Sequence, residues 1–143
     1  MDKTTSVPYC LQIPGGGIDK KDIYKGIINI NQTIKRELKE EINLNLDDID
    51  YKIKYIEVPD KDRHAYGFIA IGKLAKTKEE LQEHFEEYKK FLIQNNLEVE
   101  FNKLVFLDEN NAIKEFDMLK NPKRPYLSNL INEIVREIGN ENY

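Results

Sequence analysis

The fold is decided by residues 36–44, which read Arg-Glu-Leu-Lys-Glu-Glu-Ile-Asn-Leu. Each residue of an α-helix advances by about 100° around the helix axis. Three carboxylates therefore share one sector of the predicted helix: those of Glu37, Glu40 and Glu41. An apolar stripe with a spacing of four runs along a neighbouring face and consists of Ile34, Leu38 and Ile42. The pattern predicts a helix that packs on a core along one side and presents three acids to a cleft.

Three carboxylates on one helix face are costly to keep ionised, because like charges repel. A divalent cation removes that cost, and Mg²⁺ prefers oxygen ligands and phosphate groups. The competing interpretation is an exposed helix on which Arg, Lys and Glu side chains form i,i+4 ion pairs. In a chain with 34% charged residues, the acids alone do not decide between the two.

A glycine-rich segment, Pro-Gly-Gly-Gly at residues 14–17, lies upstream of these acids. Glycine has no Cβ atom, so the backbone there can approach a bound phosphate closely, although a plain turn would also use it. Further along, Asn29 and Gln32 have the spacing of a capping box. The glutamate helix is therefore predicted to begin near Ile30 and to run to Ile42.

The two segments together resemble the signature of the Nudix hydrolases. That signature runs glycine, five residues, glutamate, seven residues, and then Arg-Glu-aliphatic-x-Glu-Glu-x-Gly-aliphatic. Residues 36–41 match its helical half at each defined position, and Leu44 matches the closing aliphatic residue. Asn43 replaces the last glycine, and asparagine is the next best residue for the left-handed conformation that ends a helix.

The loop half of the signature departs from the family pattern in two ways. The segment from Gly16 to Arg36 is about six residues longer than the family spacing, with the extra residues inside 19–30. The position of the family's loop glutamate is occupied by Asp22, a shorter acid. Asp22 either takes the place of that glutamate or is merely solvated in a polar loop.

The resemblance implies hydrolysis of a nucleoside diphosphate linked to another moiety, with Mg²⁺ or Mn²⁺ required. It makes Glu40 and Glu41 direct metal ligands, and Glu37 a third ligand or the base that deprotonates water. It makes Arg36 a residue that orients Glu37 by an ion pair. The implied catalytic set is thus Arg36, Glu37, Glu40 and Glu41.

The resemblance also concerns the substrate phosphates and a further acid. The phosphates would be approached by the backbone of Gly15, Gly16 and Gly17. The family sometimes adds a glutamate from outside the signature, and the two candidates here are Glu98 and Glu100. Neither histidine, His64 nor His84, has metal-ligand spacing, and both are predicted to be surface residues.

The other periodicities predict an α+β fold in a single domain spanning residues 1–143. Strands are expected over 8–13, 51–58, 64–74, 97–101 and 104–107, and the second and third should form a hairpin. Further helices are expected over 77–95, 108–119 and 126–138, where Gly139 ends the last one. The order of elements and the family resemblance together predict a Nudix-like α/β/α sandwich with a mixed sheet and an inserted helix at 77–95.

Composition excludes several classes of protein. The chain has 143 residues and a net charge of −4, which argues against general attraction to nucleic acid or to an anionic membrane. Its one cysteine, Cys10, cannot form an internal disulfide. No apolar run approaches the ~18 residues needed to span a bilayer. We therefore predict a cytoplasmic protein.

Two features predict a homodimer. Residues 8–13 supply one short strand ahead of the glycines, which leaves a sheet edge that a second copy could cover. The helix at 77–95 offers an additional apolar face. Two other classes of function remain open at this point: a Nudix-like nucleotide-binding sensor without catalysis, and an interaction protein that uses the inserted helix.

Overall fold

The computed structural model of the chain describes residues 9–57 and 66–141. The chain forms two compact units, of which one is Pro14–Leu104 and the other combines the residues before and after it. Predictions for Pro8 and for residues 58–65, including His64, lie outside the described residues. Within the described ranges, no helix is both long and apolar enough to cross a membrane.

The described residues confirm the α+β class. The helices are α1 (Ile30–Ile42), α2 (Lys78–Gln94), α3 (Ala112–Met118) and α4 (Tyr126–Glu141). The strands are β1 (Ile23–Tyr24), β2 (Ile27–Ile28), β3 (Ile49–Glu57) and β4 (Gly67–Leu74). They form two antiparallel two-stranded sheets, β1 with β2 and β3 with β4.

Helix α1 has the bounds that its caps predict. The side chain of Asn29 accepts a hydrogen bond from the Gln32 N–H at 3.2 Å, which satisfies one of the free donors of the first turn. Asn43 closes the helix in the left-handed conformation, with a φ of 55°. Two residues of the apolar stripe pack as predicted, because Ile42 is buried beside Phe85 and Leu38 packs against them.

The hairpin of β3 and β4 confirms the predicted pairing. Its register runs from Ile49 opposite Leu74 to Glu57 opposite Gly67. The register shifts once, between Ile53 and Tyr55, where one extra residue forms a bulge. Ile49 and Leu74 pack against the cluster formed by α1 and α2, so the open end of this hairpin supports the glutamate helix.

The helix predicted over residues 77–95 is confirmed as α2, from its first turn onward. Thr77 and Glu80 form a reciprocal capping box, with the Thr77 N–H donating to Glu80 at 2.7 Å and the Glu80 N–H donating to Thr77 at 3.1 Å. Phe85 is 2% exposed and lies in the core with Ile42 and Leu44. Phe85 therefore has a packing role, which is the role predicted for the aromatic residues of α2.

The lengthened loop is an ordered hairpin. Asp19 caps a 3₁₀ turn over Lys20–Asp22, and β1 and β2 follow immediately. The two residues between the strands, Lys25 and Gly26, have φ values of 49° and 77°. Two consecutive left-handed residues are the geometry that closes a tight hairpin with the correct twist. The extra residues therefore form a small arm whose base is Asp22.

The strands predicted over 97–101 and 104–107 are wrong. Neither segment belongs to a strand, although Phe101 and Leu104 pack against the core cluster. Alternating side chains indicate which residues reach a core, but a strand also needs a neighbouring backbone for its N–H and C=O groups. The alternation here reflects the burial of single side chains from an irregular segment.

The N-terminal strand is reduced to a single bridge. Leu11 pairs in parallel with Lys123. The Leu11 N–H donates to the Pro122 carbonyl at 2.7 Å, and the Arg124 N–H donates to the Leu11 carbonyl at 3.2 Å. The backbone of Leu11 is therefore paired within the chain. The homodimer stays a prediction.

Two further boundaries differ from those predicted. Helix α3 begins at Ala112 and ends at Met118, within the range expected for it. Helix α4 continues through Gly139 to Glu141, so the prediction that this glycine ends the helix is wrong. A glycine inside a helix weakens it only modestly, and neighbouring residues can carry the helix past it.

Candidate functional site

The glycine segment lies directly against the acidic face of α1. The Gly15 N–H donates to the Glu41 carboxylate at 2.8 Å. A Cβ atom added at Gly16 would lie 2.3 Å from Oε1 of Glu37, so a side chain there would force the carboxylate to move. The Gly17 carbonyl accepts from the Arg36 guanidinium at 3.0 Å. The structure thus brings the two halves of the predicted signature together.

Arg36 organises the middle of this face. Its Nη1 donates to Glu37 Oε1 at 2.5 Å, so the predicted ion pair is present. The same nitrogen lies 3.7 Å from Oε2 of Glu40, whose side chain is 59% exposed. The hydrogen bond to Asp22 and the contacts with Glu37 raise the pKa of Arg36, although desolvation opposes them. The guanidinium is therefore a fixed positive charge that holds the carboxylate of Glu37 in place.

Asp22 is buried, which excludes the interpretation that it is merely solvated. It is 2% exposed, and its Oδ2 accepts from Thr33 Oγ1 at 2.9 Å and from Arg36 Nη2 at 3.0 Å. The Asp19 N–H donates to the same oxygen at 2.8 Å. The hydrogen bond from Arg36 is the largest of the causes that lower the pKa of Asp22 to about 2. Asp22 therefore ties the base of the β1–β2 hairpin to α1.

Stability that depends on Asp22 should disappear in acid. Its folded pKa of about 2 lies below the ordinary 3.8, so between these values the unfolded chain binds more protons than the folded one. The stabilisation is present above about pH 4 and is lost as the pH falls toward 2. We expect Asp22→Asn to lower the melting temperature at pH 6 and to lose less on acidification than the wild type. Circular dichroism melts from pH 6 to pH 2 measure both, and parallel acid losses would contradict the assignment.

Glu41 and Glu100 form the second acidic feature of the site. Glu41 is 6% exposed, and the nearby carboxyl group of Glu100 interacts with it electrostatically. Burial is the largest cause that raises the pKa of Glu41 to about 8, and the Glu100 carboxyl adds to it. Glu100 itself is exposed, on the irregular segment that follows α2. Of the two outside candidates, the structure places Glu100 beside the signature, whereas the sequence pattern did not distinguish it from Glu98.

The three signature glutamates do not converge as they stand. Among residues 9–57 and 66–141, no group of three or more His, Cys, Asp or Glu side chains is placed to hold a metal ion. The reason is local: Arg36 engages Glu37, and Glu41 turns toward Gly15. The donor set nevertheless suits a hard cation, because it consists of carboxylate oxygens. Two close carboxyl groups also need either a proton or a cation between them.

Two contacts from α2 were not predicted. Tyr88 Oη donates to the Glu40 carbonyl at 2.8 Å, and His84 Nε2 lies 3.1 Å from the Asn43 carbonyl. His84 is partly buried. The only sequence signal was the i,i+4 spacing of these two residues, which puts them on one face of α2.

A separate concavity lies in the other unit. It has a volume of about 520 Å³ and is lined by residues of α3, of the turn before it and of α4, among them Asp117, Met118 and Val135. None of the predicted site residues contributes to its lining within the described chain. The glutamates and the glycine segment instead belong to the unit Pro14–Leu104.

Comparisons with known proteins add no relative. No family model, no curated protein and no solved structure matches the chain. The resemblance to the Nudix signature therefore depends on residues 14–44 of this chain and on the contacts among them.

Proposed function

We propose that the chain is a Nudix-type hydrolase that cleaves the phosphoric anhydride of a nucleoside diphosphate linked to another moiety. The observation that carries the proposal is the carboxyl pair of Glu41 and Glu100 beside the N–H of Gly15. A buried acid beside a second acid has no evident benefit for stability, but it suits a site that exchanges a proton for a cation. A Nudix-like sandwich fold is part of this proposal.

The cofactor in this proposal is Mg²⁺ or Mn²⁺. Glu41 and Glu100 would hold the ion together with Glu40, whose side chain is 59% exposed. When bound, the ion neutralises charge on the phosphate oxygens and lowers the pKa of a coordinated water. Oxygen ligands and a retained water shell are what Mg²⁺ prefers.

The residues of the chain have distinct roles in the hydrolysis. Glu37, fixed by Arg36, accepts a proton from the attacking water. The water oxygen forms a new bond to one phosphorus as the bridging P–O bond breaks, and the bridging oxygen leaves with the other phosphate. The backbone of Gly15 and Gly17 lies beside Glu41 and Arg36. A phosphate can approach there because no Cβ atoms stand in the way.

A panel of substrates tests the activity. Nucleoside diphosphates linked to a sugar, to an alcohol or to a second nucleoside are incubated with Mg²⁺ and then with excess EDTA. A phosphatase added after quenching converts the exposed phosphate groups to inorganic phosphate. We expect release from at least one substrate with Mg²⁺ and none with EDTA. Absence of release across the panel would contradict the proposal.

One observation favours a nucleotide sensor as the second candidate. Arg36 lies within ion-pair distance of both Glu37 and Glu40, which leaves fewer acids for a metal. A sensor would bind a member of the same panel in calorimetry and release no phosphate with Mg²⁺ or Mn²⁺. The two candidates therefore give opposite results with the same ligands.

Metal should stabilise the folded chain. Filling the acidic site relieves the repulsion between Glu41 and Glu100, and a ligand at about 100 times its dissociation constant adds ~2.7 kcal/mol. We expect the thermal melt with millimolar Mn²⁺ to lie above the melt in EDTA. The matched control is the double variant Glu41→Gln with Glu100→Gln, which should gain little. Wild-type melts that superimpose would contradict a metal site.

A further inference from the structure

Helix α2 contacts the end of the glutamate helix. The last carbonyl groups of an α-helix have no partner within the helix. Tyr88 Oη supplies a donor to one of them, the Glu40 carbonyl, at 2.8 Å, and lies 3.5 Å from the Lys39 carbonyl. The contact fixes the backbone between two predicted metal ligands, Glu40 and Glu41.

A second contact holds the same turn one step further on. His84 Nε2 lies 3.1 Å from the carbonyl of Asn43. A carbonyl can only accept, so this nitrogen carries the proton. The next residue of α2, Phe85, is buried against Ile42 and Leu44. The C-terminal end of α1 is therefore held by two polar contacts and one apolar contact from a single helix.

Helix α2 also holds the segment that carries Glu100. Lys89 Nζ donates to the Asn102 carbonyl at 3.0 Å and pairs with Glu86 at 3.0 Å. Phe101, next to Glu100, packs against the core around Phe85. This segment has no strand ladder of its own in the described chain. Its position depends instead on single contacts of this kind.

We propose that α2 is a positioning element that sets the separation of Glu41 and Glu100, and that Tyr88 and Lys89 are its positioning residues. Tyr88 holds the backbone of α1 next to Glu41. Lys89 holds the segment after α2 that carries Glu100. Each residue acts through the backbone carbonyl that it holds. One consequence, that the separation of Glu41 and Glu100 determines metal affinity, rests on the proposed function.

The variants are chosen so that folding is little affected. Tyr88→Phe removes one hydroxyl group and keeps the ring stacked on Phe91, whose centroid is 6.3 Å away. Lys89→Met removes the donor to Asn102, and Lys89→Arg restores a donor. The matched control is Tyr51→Phe. Tyr51 Oη donates to Asn31 at 2.9 Å, near the opposite end of α1.

Two measurements are made on each variant. In EDTA at pH 7, the ¹³C shift of the Glu41 carboxyl carbon is recorded with and without Glu100→Gln, which reports how strongly the two side chains interact. Calorimetry then gives the affinity for Mn²⁺ alone. The shift response is the change in the Glu41 ¹³C shift that Glu100→Gln causes. We expect Tyr88→Phe and Lys89→Met to reduce this response and to weaken Mn²⁺ binding by about tenfold. Tyr51→Phe and Lys89→Arg should behave as the wild type does.

The outcomes separate the two proposals. If Tyr88→Phe and Lys89→Met leave the shift response at the wild-type value, the positioning role of α2 is overturned, whatever the metal affinity is. If they reduce the response while the wild type binds no Mn²⁺, the positioning role stands and the metal site is overturned. If all four variants lose affinity equally, the effect is general loosening of α1, which also overturns the specific role of α2.

Discussion

Replacing Glu41 by glutamine should lower Mg²⁺-dependent phosphate release by about a hundredfold or more. The substitution removes one ligand charge and almost no volume. The fold should persist, because the glutamine oxygen can still accept from the Gly15 N–H and its NH₂ group can donate to Glu100. Initial rates on the best substrate of the panel measure the loss, and full activity in the variant would exclude Glu41 as a ligand.

The same variant should be more stable than the wild type at high pH in EDTA. The folded pKa of Glu41, about 8, lies above its ordinary 4.5, so between these values the folded protein binds more protons than the unfolded chain. The stabilisation is complete below about pH 4.5 and is lost as the pH rises through 8. Glutamine does not titrate. The melting temperature of Glu41→Gln should therefore rise relative to that of the wild type as the pH is raised from 5 to 9.

The control for both effects is Glu98→Gln. Glu98 is an exposed glutamate on the same segment as Glu100, two residues away. This substitution makes the same change in charge without touching the pair. Activity and the pH dependence of the melt should both stay at the wild-type values. Equal pH profiles for the wild type and Glu41→Gln would show that Glu41 is not buried beside a second acid.

The elements that could be predicted are those with local signals. The bounds of α1 follow from Asn29 and Asn43, and the start of α2 follows from Thr77 and Glu80. In each case the cap and the free backbone groups it satisfies are at most a few residues apart in sequence. The resemblance to a signature joined the glycine segment and the acids of α1 in one motif, and the structure places Gly15 against Glu41.

The parts that could not be predicted depend on distant residues. Glu100 was distinguished from Glu98 only by its contact with Glu41, which lies almost sixty positions upstream. Asp22 is buried because Thr33 and Arg36 surround its carboxylate. No periodicity in the lengthened loop records those partners. The ion pair of Arg36 with Glu37 was expected, but nothing in the sequence showed that Arg36 would also lie 3.7 Å from Glu40.

Removing the guanidinium of Arg36 should have the largest effect on stability. Arg36→Met leaves the buried carboxylate of Asp22 without its charged partner and frees Glu37 from the contact that holds it beside Gly16. Breaking a buried ion pair on one side is strongly destabilising, because an uncompensated charge remains. We expect the melting temperature at pH 7 to fall by roughly 10 °C.

A double-mutant cycle tests whether the loss belongs to the pair of Arg36 and Asp22. The double variant Arg36→Met with Asp22→Asn removes both charges, so it should lose less stability than the two single variants combined. Arg36→Lys should fall between wild type and Arg36→Met, because a single ammonium cannot reach Gly17, Asp22 and Glu37 together as the planar fork does. Urea unfolding of the wild type, the two single variants of the cycle and the double variant gives the coupling free energy. Strict additivity would show that Arg36 stabilises the site by packing alone, and that Asp22 does not hold the hairpin to α1 through its charge.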